Sequence, residues 1–379
     1  MKPEVDHPHK LHAWLTSPQP AIFQGQDLRP LSATIAALPL AGCAFLGCRM
    51  EHTLLAAAAS AGCFLLPAVE GLPFDPFAPG LYSPKDLFAG FDPNHPQASY
   101  RNCLDFRIYD SFVDSATRHE RPVDVDVVLL RRLHDASVSD ALDDLLDHDT
   151  RHRCVAIMGG HNIGRDEPVF AAIANLALAL SRAGYLVLTG GGPGLMEAAN
   201  LGAYAAGFPH GEQLLPQAIA TMQTAPGYQH ERWLAAGFLA WQAMGVPDQP
   251  AQSRNVGIPT WFYGHEPPNV FATHIAKYFQ NSIREEGLLA YALAGVIFAA
   301  GNAGTVQEIF QDACQNYYRT YARKRSPMVL LGSTYWQQTK PAYPLLQALA
   351  TEKSFSNYLL LTDDPAAILP FLIAHPPAD

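Results

Sequence analysis

Three short glycine-rich segments contain the residue types that could do chemistry in this chain. Each follows an apolar run: Gly159, Gly160 and His161 in the first segment, Gly191, Gly192 and Gly194 in the second, and Gly301, Gly304 and Thr305 in the third. Glycines between a strand and a helix let backbone N–H groups close on a phosphate, and the positive end of the helix adds to the attraction. The spacing therefore predicts a phosphate site, and a plain tight turn is the alternative for any one segment taken alone.

The stretches around these glycines predict strands that alternate with helices. The predicted strands are residues 154–158, 185–189, 256–263, 293–300, 328–331 and 358–362, and the predicted helices are residues 168–183, 195–199 and onward, 271–291, 301–318, 341–353 and 364–375. Apolar runs of this length that end in glycine are typical of buried parallel strands. Residues 211–251 predict one or two helices and a loop that covers the site. This alternation predicts an α/β protein with a Rossmann-like, doubly wound parallel sheet.

Four motifs resemble those of a known family. Residues 190–198 read GGGPGLMEA, which resembles the GGGPGxMEA signature of the LOG family, the lysine decarboxylase-like phosphoribohydrolases. Residues 159–161 (GGH) and 266–269 (EPPN) are similar to turns of the bacterial nucleotide 5′-monophosphate nucleosidases. Residues 300–308 (AGNAGTVQE) resemble the family's PGGxGTxxE, with Ala300 in place of the proline and Asn302 in place of the second glycine. The resemblance covers residues 150–375.

The resemblance implies a set of site residues. Glu308, on the helix after the third segment, and Arg284, on the helix before it, are the candidate catalytic residues. The remaining candidates bind substrate or its phosphate: Gly159, Gly160, His161, Gly191, Gly192, Gly194, Met196, Glu197, Glu266, Asn269, Gly301, Asn302, Gly304 and Thr305. Alternatives stay open for several of them. Residues 266–269 could be a proline turn that merely ends a strand. Glu308 could be an acid that the helix dipole favours, and Arg284 could form a surface ion pair. His161 could be a turn residue without a role in binding, and Glu197 could be structural.

The implied reaction is hydrolysis of the N-glycosidic bond of nucleoside 5′-monophosphates to free base and ribose 5-phosphate. A carboxylate beside the ribose can stabilise an oxocarbenium-like transition state and help a water molecule attack. No metal or cofactor is predicted, since His148 and His152 stand four residues apart in a polar stretch without an HExxH motif. A nucleotide-binding sensor or carrier without hydrolysis is the alternative. A dinucleotide dehydrogenase is disfavoured, because no acid follows the strand that ends at Thr189.

Asn302 is the most informative departure from the family pattern. A glycine there would adopt positive φ and approach the phosphate closely. For asparagine, the same backbone conformation costs about 1 kcal/mol. We therefore expect Asn302→Gly to leave activity equal or higher and to tighten phosphate binding. The alternative is that Asn302 recognises a different ligand.

Composition limits the partners and the compartment. The net charge is −10 with no large basic cluster, which argues against a nucleic-acid partner. No apolar run is long enough for a membrane span, and the N-terminus lacks an apolar signal core. The six cysteines form no CxxC pair, so we expect reduced thiols in a cytoplasmic protein. The resemblance implies a homodimer or higher homo-oligomer that binds a nucleoside monophosphate.

Two domains are expected, an N-terminal domain over residues 1–120 and a LOG-like Rossmann catalytic domain over residues 121–379. The N-terminal domain is predicted to be loop-rich, with a strand–turn segment at 39–50 and a helix that runs into a strand at 51–66. No chemistry is predicted there. Residues 123–130 (VDVDVVLL) alternate like a half-buried strand, and residues 137–140 resemble a capping box that opens a helix reaching about residue 146.

Overall fold

The computed structural model describes residues 2–114, 123–263, 266–321 and 323–378, apart from the side chains of Asp114, His148 and Asp149. It divides into two compact units. The first comprises Met1–Leu81 and Ser115–Leu142, and the second comprises Tyr82–Asp114 and Asp143–Asp379. The predicted boundary between residues 120 and 121 lies outside the described residues. The division differs from the predicted one, because residues 82–114 belong to the second unit.

The first unit is a small α/β fold. Its elements are β1 (Glu4–Val5), α1 (Pro8–Thr16), β2 (Ile22–Gln24), α2 (Ser32–Ala36), β3 (Ala44–Cys48), α3 (His52–Ser60) and β4 (Phe64–Pro67). The four strands pair in parallel in the order β1-β2-β3-β4. Phe23 and Phe45 stack at 4.7 Å in its core. The helix and strand predicted for residues 51–66 are confirmed, whereas the unit as a whole is more regular than a loop-rich domain.

Three helices precede α7 (Val125–Leu145) in the chain: α4 (Pro84–Leu87), α5 (Pro96–Tyr100) and α6 (Leu104–Asp114). The strand predicted for residues 123–130 is wrong, because most of that stretch is the start of α7. The capping box predicted at 137–140 is also wrong, since those residues lie inside the same helix. There Ser137 donates to the carbonyl of Pro76, and Ser139 donates back to the carbonyl of Asp135.

The second unit continues through a long alternation of helices and strands. These are α8 (His148–Arg151), β5 (Cys154–Met158), α9 (Pro168–Arg182), β6 (Leu186–Thr189), α10 (Leu195–Ala205), α11 (Gly211–Met222), α12 (Trp233–Met244), β7 (Asn255–Gly257), β8 (His274–Ile275), α13 (Asn281–Tyr291), β9 (Gly295–Phe298), α14 (Ala303–Tyr318), β10 (Met328–Leu331), α15 (Ala342–Glu352), β11 (Leu359–Thr362) and α16 (Ile368–Ala374). The strand order is β11-β10-β9-β5-β6-β7-β8, with every pair parallel.

The strand order reverses direction at β5, which fixes where a ligand can bind. Val155 of β5 pairs with Val187 of β6 on one side and with Gly295 of β9 on the other. Right-handed crossovers then send the helices of the two halves to opposite faces of the sheet. The predicted Rossmann-like, doubly wound α/β fold is confirmed for this unit. Ligands of such folds bind outside the carboxyl ends of the strands at this reversal.

Two predicted elements around residues 256–291 differ from the structure. The strand predicted over residues 256–263 ends at Gly257, two residues before Pro259, which cannot donate to a ladder. The helix predicted over residues 271–291 begins only at Asn281, because His274 and Ile275 pair with β7 as a short edge strand. Among the described residues, none of the helices is both long enough and apolar enough to cross a membrane.

Candidate functional site

A cavity of about 610 Å³ lies in the second unit where the strand order reverses. Residues that directly follow β5, β6 and β9 line it, because the carboxyl ends of these neighbouring strands meet at one edge of the sheet. The structure brings eleven of the predicted site residues together in this lining: Gly159, Gly160, His161, Gly192, Met196, Glu266, Arg284, Asn302, Gly304, Thr305 and Glu308.

The second glycine segment is shaped by close approach of backbone to backbone. Gly191 has φ of +70° and Gly194 has φ of +68°, a region that favours glycine. A Cβ at Gly191 would lie 2.7 Å from Pro259 and 3.0 Å from the backbone of Gly257. Neither Gly191 nor Gly194 lines the cavity. Their role is to let the turns after β5, β6 and β7 meet.

Asn269 supports this turn from behind instead of contacting the cavity. Its side chain is fully buried and donates to the carbonyls of Gly191 and Gly192, at 3.1 Å each. The same amide group donates to Asn200 Oδ1 at 2.8 Å. The interpretation of Asn269 as a ligand contact is therefore replaced by a positioning role, since its hydrogen bonds fix the carbonyls of the turn.

Glu197 likewise has a structural role. Its carboxylate forms a two-pronged ion pair with Arg165, at 2.6 and 2.8 Å, and both side chains are 1% exposed. Arg165 Nη1 donates in turn to the carbonyls of Met222, Ala225 and Trp233. These carbonyls flank the segment that carries Tyr228 into the cavity lining. Glu197 thus does not reach the cavity, and it holds Arg165, which fixes that segment.

Glu308 is the buried acid of the cavity. It is 7% exposed and lies in the second turn of α14. Burial raises its pKa to about 7, with a further rise from Glu285, while Arg284 acts in the opposite direction. A carboxyl group with such a pKa exists in both protonation states near neutral pH, which suits acid–base catalysis.

Arg284 approaches the cavity from α13. Its Nε donates to Asn281 Oδ1 at 2.8 Å, and its Nη2 donates to Glu285 Oε1 at 3.0 Å. Glu285 is itself 5% exposed and accepts from Gln307 of α14 at 2.7 Å. A Cβ at Gly190 would lie 3.4 Å from Arg284 Nη1. The guanidinium is therefore fixed by α13, and Nη1 is directed to the second glycine segment.

The third glycine segment contradicts the expectation for Asn302. Asn302 has φ of −96° and ψ of −153°, an extended conformation that any residue adopts. The left-handed strain expected there is absent because neither Asn302 nor its glycine neighbours have positive φ. Gly301 does not line the cavity, and a Cβ there would overlap Thr305. The N-cap side chain makes no bond to the helix, so the first amides of α14 are open to an anion.

Further lining residues were not predicted as site residues: Met158, Gly190, Tyr228, Pro259, Thr260, Tyr263, Glu285, Ala303 and Gln307. His161 lies beside two of the lining residues, with its ring 5.5 Å from that of Tyr228 and its Nε2 3.9 Å from Glu266 Oε1. Tyr228 lies within residues 211–251, the stretch predicted to include a loop that covers the site. Glu285 had a sequence signal as well, since it directly follows Arg284.

A buried charged cluster includes residues that precede and follow Glu266 of the lining in the chain. Lys277 and Asp105 are each 1% exposed and pair at 2.7 Å, and Trp261 Nε1 donates to the same carboxylate at 3.0 Å. Burial lowers the pKa of Lys277, and Asp105 opposes that effect. Tyr100 donates to the other oxygen of Asp105 at 2.6 Å. Residues 82–114, where no chemistry was predicted, thus anchor the chain on either side of Glu266.

Comparison with known proteins adds little to this geometry. No protein-family model matches the sequence, and no curated protein matches it. Among solved structures, the chain is similar to the molybdenum cofactor binding protein from the phototrophic bacterium Rippkaea orientalis, at 12% identity and a TM-score of 0.34. The match covers 58% of this chain and 95% of that chain. A likeness at this level carries no argument about function.

Proposed function

We propose that this chain hydrolyses the N-glycosidic bond of nucleoside 5′-monophosphates and releases the free base and ribose 5-phosphate. The observation that carries the proposal is the buried carboxyl group of Glu308, with a pKa of about 7, in a cavity that Arg284 and all three glycine segments also line. This arrangement combines an acid–base group, a fixed cation and anion-binding amides in one place. The motif resemblance to the LOG family supports the same reaction.

The cavity suits a nucleotide in size and polarity. Its volume of about 610 Å³ falls within the range of small-molecule sites. The open N-terminus of α14, at Ala303, Gly304 and Thr305, suits the 5′-phosphate. The rings of Tyr228 and His161, which also belong to the lining, suit a flat base.

The reaction follows from the position of the two charged groups. Ionised Glu308 accepts a proton from a water molecule, whose oxygen forms a bond to C1′ of the ribose. The C1′–N bond breaks, its electron pair goes to the nitrogen of the base, and that nitrogen takes up a proton from solvent. Positive charge that develops on the ribose is stabilised by the carboxylate. Arg284 Nη1, near Gly190, binds substrate oxygens and keeps the ribose against Glu308.

A panel of AMP, GMP, CMP, UMP and IMP tests the proposal. We expect release of free base from at least one of them, measured by chromatography, and a loss of about 10²–10⁴-fold in turnover for Glu308→Gln. Binding of monophosphates without release of base from any of them would support a nucleotide sensor or carrier instead. We expect the reaction in the cytoplasm, in line with six cysteines that are all free thiols.

A further inference from the structure

Asn302 connects the third glycine segment to a lysine that the proposed mechanism does not use. In its extended conformation the Asn302 side chain makes no capping hydrogen bond to α14, and its Oδ1 accepts a hydrogen bond from Lys340 Nζ at 2.6 Å. Asn302 lines the cavity. The ammonium group of Lys340 therefore lies within one hydrogen bond of a cavity-lining side chain.

Lys340 is held in this position by more than one contact. Its Nζ also donates to the carbonyl of Gly301 at 3.0 Å, and the same carbonyl accepts from Tyr335 Oη at 2.5 Å. The ammonium lies 5.7 Å from the centroid of the Tyr335 ring. Tyr335–Thr339 form a π-helical turn directly before Lys340. A flexible lysine side chain is thereby fixed at the start of α14.

The charge of Lys340 is not neutralised by these contacts. Both of its hydrogen-bond acceptors are neutral, and none of the salt bridges among the described residues includes Lys340. An ammonium group has three N–H donors, and two of them meet Gly301 and Asn302. The third donor and the full positive charge lie beside a helix N-terminus that already favours anions.

We infer that Lys340 is a phosphate ligand that acts together with the first amides of α14, and that Asn302 is the residue that positions it. The inference rests on the proposed function and makes its substrate more specific. The ligand class is a phosphomonoester dianion, the group carried by a nucleoside 5′-monophosphate or by ribose 5-phosphate. Asn302→Gly removes the Oδ1 acceptor and relieves no strain, so it weakens phosphate binding instead of tightening it.

Calorimetric titration with ribose 5-phosphate, and separately with inorganic phosphate, tests this inference without any turnover. Lys340→Met is expected to bind ribose 5-phosphate about tenfold more weakly than the wild type, the low end for a charge-assisted contact. Lys340→Arg, which keeps the charge, is expected to recover most of the affinity. The affinity of Asn302→Gly is expected to lie between those of Lys340→Met and Lys340→Arg. Thermal denaturation of each variant verifies that it is folded.

Lys353→Met is the matched control. Lys353 is exposed and its Nζ lies 4.8 Å from the ring of Tyr317, so the control also removes a lysine that contacts a tyrosine. Neither Lys353 nor Tyr317 lines the cavity. It should bind ribose 5-phosphate like the wild type. The inference is overturned if Lys340→Met binds as tightly as the wild type, if the control loses as much affinity, or if the wild type binds neither ligand.

The results that would contradict the proposed hydrolysis differ from those that would contradict the role of Lys340. A wild type that binds ribose 5-phosphate about tenfold more tightly than Lys340→Met, but releases no base from any monophosphate, would remove the hydrolase proposal and keep Lys340 as a phosphate ligand. A wild type that releases base while Lys340→Met binds ribose 5-phosphate equally well would keep the hydrolase proposal and remove Lys340.

Discussion

Replacing Glu308 by glutamine should stabilise the protein while it disables the proposed chemistry. Burial raises the pKa of Glu308 from 4.5 to about 7 in the folded chain. The folded state therefore binds this proton more tightly than the unfolded state does. The sign follows directly: the wild type suffers no penalty from Glu308 below pH 4.5, and the penalty grows as the pH rises from there through 7. Glutamine cannot ionise and escapes the penalty.

The size of the effect follows from the same two pKa values. Each pKa unit corresponds to about 1.4 kcal/mol, so a rise of about 2.5 units amounts to about 3–4 kcal/mol at full ionisation. At pH 5 the acid is still mostly protonated in the folded state, and the penalty is below about 1 kcal/mol. Between pH 5 and pH 8 the free energy of unfolding of Glu308→Gln should therefore gain about 2–3 kcal/mol relative to the wild type.

Urea denaturation at pH 5 and pH 8 measures this difference. Glu286→Gln is the control, because Glu286 is an exposed carboxylate on the neighbouring helix α13. Its free energy of unfolding relative to the wild type should change little with pH. The reasoning fails if the free energy of unfolding of Glu308→Gln relative to the wild type is the same at both pH values, or if it changes with pH only as much as that of the control. Glu308 would then not be a buried acid with a raised pKa.

Three further predictions concern the scaffold, the substrate and the assembly. Glu197→Ala leaves the buried guanidinium of Arg165 without its carboxylate and should lower the free energy of unfolding by about 3–5 kcal/mol; a loss below about 1 kcal/mol in urea denaturation, typical of an exposed pair, would contradict the structural role. Nucleosides without a phosphate should be poor substrates, and ribose 5-phosphate should inhibit competitively; equal rates on AMP and adenosine would exclude a phosphate site. We also expect a homo-oligomer, formed through residues 274–293, and light scattering that shows a monomer at micromolar concentration would refute this.

The central α/β fold could be predicted because its strands are short, wholly apolar runs that end in glycine. The strand Cys154–Met158 matches its predicted bounds, since every residue of it is buried and hydropathy alone marks it. The helix α7 could not be predicted in this way. Its buried stripe includes Arg131, His134 and Asp135, while the apolar Val125 is 84% exposed. Polar residues on the inner face reverse the pattern that sequence reasoning relies on.

The candidate site was predictable at its glycine turns and less so at its supporting residues. The motif resemblance to the LOG family implied Glu308 and Arg284, which flank the third glycine segment in sequence. Asn269 and Glu197 also lie in motifs, but spacing cannot tell a cavity ligand from a residue that fixes the turn behind it. Lys340 had no sequence signal, because its contact with Asn302 depends on a π-helical turn that no local pattern marks.

The pH dependence of kcat/KM for a nucleoside 5′-monophosphate tests the central role of Glu308 most directly. The wild type should show a rise in kcat/KM with an apparent pKa of about 7, as Glu308 loses its proton. The substrate phosphate ionises near pH 6, and Glu308→Gln should keep only that lower transition in its residual activity. A wild-type profile without a transition near pH 7, or a Glu308→Gln profile that retains it, would contradict the account.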